Sequence, residues 1–232
     1  MMKQLFALSL TLCTPACVVV LGPADCSGSW HSGGEPGPRI EGSGVSGSQA
    51  REVAEFGAVR LDGGFDVRVT AGEARSVVVQ GDDNLLEYVR TRVEEGVLVL
   101  DFAPGRFRTQ RPIQIAIANP NLGAFEVNGA GDVELVGLRG ERFALSVRGA
   151  GDVTASGAVE ALDVSIAGAG DANLFALESK RANLSISGAG DISVSASERL
   201  EASVSGAGDV RYRGSPQVSK SISGAGSVRR AD

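Results

Sequence analysis

Beyond position 26 the sequence has no cysteine: the three it contains are Cys13, Cys17 and Cys26. No disulfide can staple the rest of the chain, so its stability has to come from packing and backbone pairing. Histidine occurs once, as His31, which leaves the body of the chain without a Ser-His or Cys-His nucleophilic pair. Aromatic residues make up only 5% of the chain, few for a sugar-stacking surface. Basic residues are outnumbered: 22 Lys and Arg against 28 Asp and Glu give a net charge of −6 and a pI near 5.0. Phosphate affinity rests on clustered Lys and Arg, so nucleic acid is excluded as a partner. The short RYR at 211–213 and RR at 229–230 read as solvated ends.

Long apolar runs are scarce as well. Residues 5–21 come nearest to a membrane span, but 17 residues interrupted by Pro15 are marginal against the roughly 20 a bilayer requires. With Lys3, the run Leu5–Leu12 and the small residues after it, the start reads as an export signal. Two processing sites fit. The stretch TPAC puts Cys17 after Ala16 and resembles a lipoprotein lipobox, with Thr14 where leucine is usual; the leader is then 1–16 and Cys17 the lipidation site. Alternatively the signal peptide is 1–24, cleaved after Ala24. Residues 27–50, SGSWHSGGEPGPRIEGSGVSGSQA, are rich in Ser, Gly and Pro and are expected to be unable to order themselves. The expected division is therefore leader, a tether over 25–50 that contains Trp30 and His31, and a folded domain over 51–232.

What the chain has in abundance is glycine, 32 residues, without the three-residue period of collagen. Much of it sits in one motif: GAGD begins at 129, 149, 168, 188 and 206, and GAGS at 224, steps of 20, 19, 20, 18 and 18. Ahead of each corner lie Phe125 and Val127, Leu145 and Val147, Val164 and Ile166, Leu184 and Ile186, Ala202 and Val204. After it come Val133 and Leu135, Val153 and Ala155, Ala172 and Leu174, Ile192 and Val194, Val210 and Tyr212. Both flanks alternate apolar with polar or small residues, the pattern of half-buried strands. Each unit then reads as strand, GAGD corner, strand and looser turn. That is one coil of an all-β parallel β-helix or β-solenoid, right-handed by the crossover rule, with coils about 4.8 Å apart. A propeller blade needs about twice this period, and the leucine-rich signature is missing. The glycines permit the sharp bend, alanine is the largest side chain expected inside it, and each aspartate is expected to accept hydrogen bonds from the amides of its own turn.

The array has recognisable ends. VRLDGGFDVRV at 59–69 carries the same grammar and reads as an early, degenerate coil, followed by strands near 77–80, 97–102 and 113–117 and a helical turn within 83–90. At the far end Ser227 replaces the aspartate, and Lys220, Arg229 and Arg230 are expected to blunt a bare edge.

The segments FDVRVTAG, VVVQGDDNLLEYVRTRVEEGVLVL and IQIAIANPNLGAFEVNGAGDVEL, together with the GAGD units, resemble the bacterial GIN domain, a head domain assigned to autotransporter adhesins. The resemblance covers about residues 53–230. It implies a β-helix-like fold, secretion and often a lipoprotein leader, and it carries no catalytic residues.

Two residue rows are candidates for function. Asp132, Asp152, Asp171, Asp191 and Asp209 form one rung per coil. Two carboxylates about 4.8 Å apart could share Ca²⁺, and bare neighbours would repel by about 0.9 kcal/mol in water-like dielectric; the alternative is a capping role with no cofactor. Equivalent rungs lack the divergent environments that acid-base catalysis needs, so no catalytic residue is expected. The second row is Ser146, Ser165, Ser185, Ser203 and Ser221, joined by Ser187, Ser205 and Ser223, a hydroxyl face suited to a repetitive ligand or simply to solvent. The expected function is a non-enzymatic envelope interaction or adhesion module for a protein or glycan ligand, touching membrane only through a lipid anchor. A structural envelope protein without a ligand and a polysaccharide-active enzyme are the alternatives.

Overall fold

In the computed structural model residues 39–231 are described; the leader, Cys17 and most of the expected tether lie outside them. The strands are β1 (Arg39–Glu41), β2 (Ser46–Arg51), β3 (Ala58–Gly63), β4 (Asp66–Ala71), β5 (Ser76–Asp82), β6 (Val89–Glu94), β7 (Val97–Phe102), β8 (Arg106–Arg108), β9 (Gln114–Asn119) and β10 (Ala124–Gly129). The repeats follow as β11 (Val133–Gly149), β12 (Val153–Gly168), β13 (Ala172–Gly188) and β14 (Ile192–Gly206), then β15 (Val210–Arg213), β16 (Gln217–Gly224) and β17 (Val228–Arg230). A 3₁₀ helix spans Asp83–Tyr88. No described helix is long and apolar enough to cross a membrane.

Parallel pairing stacks most of these strands into the β-solenoid that the repeat predicts, while β2–β5, β5–β9 and β6–β7 pair antiparallel. The first glycines of successive corners are register partners, Gly63 with Gly129, Gly129 with Gly149, Gly149 with Gly168, and on to Gly206 with Gly224. The early coil therefore stacks as expected. Every apolar residue predicted to face inward from Phe125 to Val210 is buried, and Tyr212 packs half-buried against the same core. Each buried Val, Leu, Ile or Phe among them contributes about 1.5–3 kcal/mol.

The looser turns are not breaks in the chain's pairing. Strands β11 to β14 run 15–17 residues from one corner to the next, and the turns are bulges within them. Register slips fall between Leu135 and Leu138, between Thr154 and Ser156, and between Leu174 and Glu178. A bulge absorbs an extra residue without disturbing its flanks, which lets coils of unequal length keep both corner and core in register.

One boundary has to be corrected. Residues 39–50, expected in the tether, are ordered: β1 pairs with β8, and β2 pairs antiparallel with β5 from Ser46 opposite Asp82 to Arg51 opposite Val77. The side chains of β2 are mostly exposed, so its order comes from the sheet edge it joins and not from burial of its own apolar surface. The buried Asp82 carboxylate adds to this by accepting from the amides of Gly44 at 2.9 Å, Gln110 at 2.8 Å and Arg111 at 3.2 Å. Across this end of the solenoid the 3₁₀ helix lays Leu85 and Leu86 on the core. Beside it Phe65, Phe102, Phe107 and Tyr88 form a chain of rings 4.7–5.1 Å apart.

Candidate functional site

The corners join the two faces of the solenoid, the strand segments before and after each GAGD, and place both residue rows. At Gly168 φ is +153°, and a Cβ there would lie 2.1 Å from the Gly149 carbonyl oxygen; at Gly170 it would lie 2.3 Å from the Gly151 oxygen. Coils approach through backbone alone, and only glycine fits. The carbonyl that excludes a Cβ at Gly168 accepts from the Ala169 amide at 2.9 Å. The alanine side chains point outward and are exposed, contrary to the expected place inside the bend, because the interior of the turn is filled by stacked backbone.

Four of the five aspartates bind between coils and not within their own turns. Asp152 Oδ1 accepts from the amide of Asp171 at 3.0 Å, Asp171 from Asp191 at 2.8 Å, Asp191 from Asp209 at 2.8 Å, and Asp209 from Ser227 at 2.9 Å. In return the residue after each aspartate donates to the aspartate carbonyl of the next coil, as Val153 does to Asp171 at 2.8 Å. The bend takes the backbone off the regular ladder, and the carboxylate supplies the acceptor that the next amide would otherwise lack. At the last rung the Ser227 hydroxyl and the Arg229 guanidinium hold the Asp209 carboxyl below the usual carboxylate range.

Among the described residues no group of three or more His, Cys, Asp or Glu could hold a metal ion. With one oxygen per rung engaged, Asp171→Ala is expected to lower the unfolding midpoint by a few degrees, because an amide loses its acceptor at about 1 kcal/mol or more. Asp171→Asn keeps an oxygen there and should cost less. A wild-type midpoint raised by millimolar calcium, with a smaller rise in Asp171→Asn, would instead assign the row to a cation.

The serine row is continuous in register: Ser146 pairs with Ser165, Ser165 with Ser185, Ser185 with Ser203 and Ser203 with Ser221. Ser146 is half-buried and the other four are exposed. A groove of about 380 Å³ runs across the strands over Ser146, Ser165 and Ser185. Its second wall is a column that motif reading missed, Val97, Ala58, Ala124, Ala144, Asp163 and Asn183. The signal was present in the alignment, five residues before each first glycine, but its small apolar members look like filler. The groove is thus apolar at one end and polar at the other, where Asp163 accepts from Arg142 Nε at 2.7 Å and from Asn183 Nδ2 at 3.4 Å. A larger groove, about 570 Å³, lies on the sheet beyond the corner among Asp66, Arg68, Gln114, Asp132 and Glu134. There Arg68 is bound to Glu134 at 2.6 Å, and the remaining carboxylates leave the site acidic. Ser203 and Ser221 lie beyond the smaller groove, and the structure does not bring the serine and aspartate rows into one site.

Of the segments read as solvated ends, only part is free. Arg213 lies 4.0 Å over the ring of Phe175, and Arg211 reaches to 3.8 Å from Asp191.

These features define a repeat solenoid with a surface groove. The chain belongs to the family described as "Putative auto-transporter adhesin, head GIN domain", whose model matches residues 55–216. Solved structures share the fold. A protein described as a putative adhesin from Bacteroides fragilis superposes with TM-score 0.68 at 23% identity, covering 83% of this chain and 100% of its own. One described as a putative lipid binding protein from Parabacteroides distasonis gives 0.57 at 22%, covering 84% and 100%. A putative adhesin from Parabacteroides merdae gives 0.55 at 20%, covering 84% and 99%. No curated protein matches the chain.

Proposed function

We propose that this protein is an exported, non-enzymatic interaction module of the cell envelope, adhesin-like in role, whose ligand lies in the groove over Ser146, Ser165 and Ser185. The observation that carries this reading is the groove itself, of about 380 Å³. It crosses several coils whose register is fixed by the ladder, so a linear ligand would meet a preorganised row of hydroxyls. Family membership supports the adhesin-like role. Cys17 is proposed as the lipid-bearing first residue of the mature chain, checked by palmitate labelling that disappears in Cys17→Ser.

Enlarging the row tests the groove. The double variant Ser165→Gln and Ser185→Gln leaves the core untouched, since both side chains are exposed. It is expected to weaken binding to cells or purified glycans at least about tenfold, with a midpoint within a few degrees of wild type. Unchanged binding would rule the groove out. Because one neighbour is described as a putative lipid binding protein and the Val97, Ala58, Ala124 and Ala144 end is apolar, acyl-bearing vesicles are included as a second probe.

A further inference from the structure

The two ends of the solenoid are finished differently. One is closed by the 3₁₀ helix, which buries Leu85 and Leu86. At the other, β16 pairs with β14 on one side, and no described strand pairs with its free side. Its inward positions continue the core columns. Ile222 follows Val204, Lys220 follows Ala202 and Val218 follows Leu200. Val204 is 1% exposed and Ile222 41%, because no described strand stacks over it. On the neighbouring face Arg230 ends the column of Tyr212. From 210 to 232 the sequence holds Arg211, Arg213, Lys220, Arg229 and Arg230 against a single acidic residue, Asp232, which lies outside the described residues. Arg211 and Arg229 reach Asp191 and Asp209, and among the described residues Lys220 and Arg230 have no carboxylate partner.

We infer that the free edge of β16 is a strand-addition site for an extended segment of a partner protein, with an acidic side chain flanked at two-residue spacing by apolar ones. An added strand would prolong the existing sheet through backbone hydrogen bonds. Side chains alternate between faces, so three of its residues would cover Val218, Lys220 and Ile222, in the order apolar, acidic, apolar. A charge set into an apolar column selects its partner by demanding an opposite one. A second copy joined edge to edge would set Lys220 and Arg230 against the same end of its twin, which charge disfavours. A glycan has no strand backbone to pair. The inference is independent of the groove.

The test uses the full chain and two labelled peptides of alternating threonine and valine, one with glutamate and one with lysine at the centre. Fluorescence anisotropy is expected to show the glutamate peptide binding at least about tenfold more tightly. Lys220→Glu should invert that preference, and Ile222→Ser should weaken both peptides, while the serine-face double variant leaves both unaffected. Each variant's melting curve shows that it remains folded, the substitutions being at an exposed edge. Equal binding of the two peptides, binding of neither, or concentration-dependent dimers in sedimentation that Lys220→Glu does not alter would overturn the inference. The basic residues would then be guards of a bare edge.

Discussion

Replacing Gly168 by alanine is expected to lower the unfolding midpoint by roughly 10 °C, the result of a loss of about 2–6 kcal/mol in a chain of this size. Two effects combine. The backbone at φ +153° is disfavoured for any side chain, by about 1–3 kcal/mol. The new methyl would also start 2.1 Å from the Gly149 oxygen, and pushing the coils apart to relieve that contact adds about 1–3 kcal/mol and strains the bond from Ala169. Two controls separate these contributions. Gly140 has φ +152° with nothing within 4 Å of its Cβ position, so Gly140→Ala should cost only the conformational part. Gly224 has φ +136° and the same 2.1 Å approach, to Gly206, but it lies in the last coil, which can move outward; Gly224→Ala should fall between the other two. Equal losses at Gly168 and Gly140 would mean that conformation alone explains the motif and that the close stacking of coils is incidental.

What could be read from the residues was whatever repeats. The columns from Phe125 to Val204 and from Val133 to Val210 are legible because each coil restates them, and the degenerate coil at 59–69 is legible because it keeps the spacing even where the letters change. Four things were not legible, each for a physical reason. Ser46–Arg51 forms a strand because β5 offers it a partner at a distance, and nothing in its Ser- and Gly-rich composition encodes that edge. The aspartates accept from the aligned amide of the next coil because the bend takes that amide off the ladder, a contact between units that the residues of a single unit do not reveal. The apolar end of the groove draws on Ala58 and Val97, outside the regular array, so a column complete in space is incomplete in the repeat. The serine row was legible as a row, whereas its concavity was not, since neighbouring strands and not the serines themselves set the depth.

Asp82→Asn is expected to lower the midpoint by roughly 8 °C and to loosen residues 42–51 and 110–111, read as faster amide exchange there. The carboxylate is buried at the end of β5, with Oδ1 facing the Gly44 amide and Oδ2 facing those of Gln110 and Arg111. An asparagine must turn its NH₂ toward one of these donors. It loses charge-assisted bonds and leaves a donor unpaired, about 2–4 kcal/mol together. The same site gives the fold an acid sensitivity. Burial alone would raise the Asp82 pKa, but the amides of Gln110, Arg111 and Gly44 and the Arg111 charge outweigh it and hold the group below the usual carboxylate range. A depressed folded-state pKa means that the stabilisation is fully present above the unfolded value of about 3.9 and is lost as pH falls through the folded one. Asp101 behaves alike: burial raises it, and Arg90 and Arg92 more than reverse that. Melting curves from neutral pH down to about pH 2 should therefore fall most steeply below about pH 4. In Asp82→Asn the curve should start lower and fall less, keeping the Asp101 and Asp209 parts. If the variant loses stability with acid as steeply as wild type, Asp82 is neutral in the fold, and the order of the N-terminal strands rests on their pairing with β5 and β8 alone.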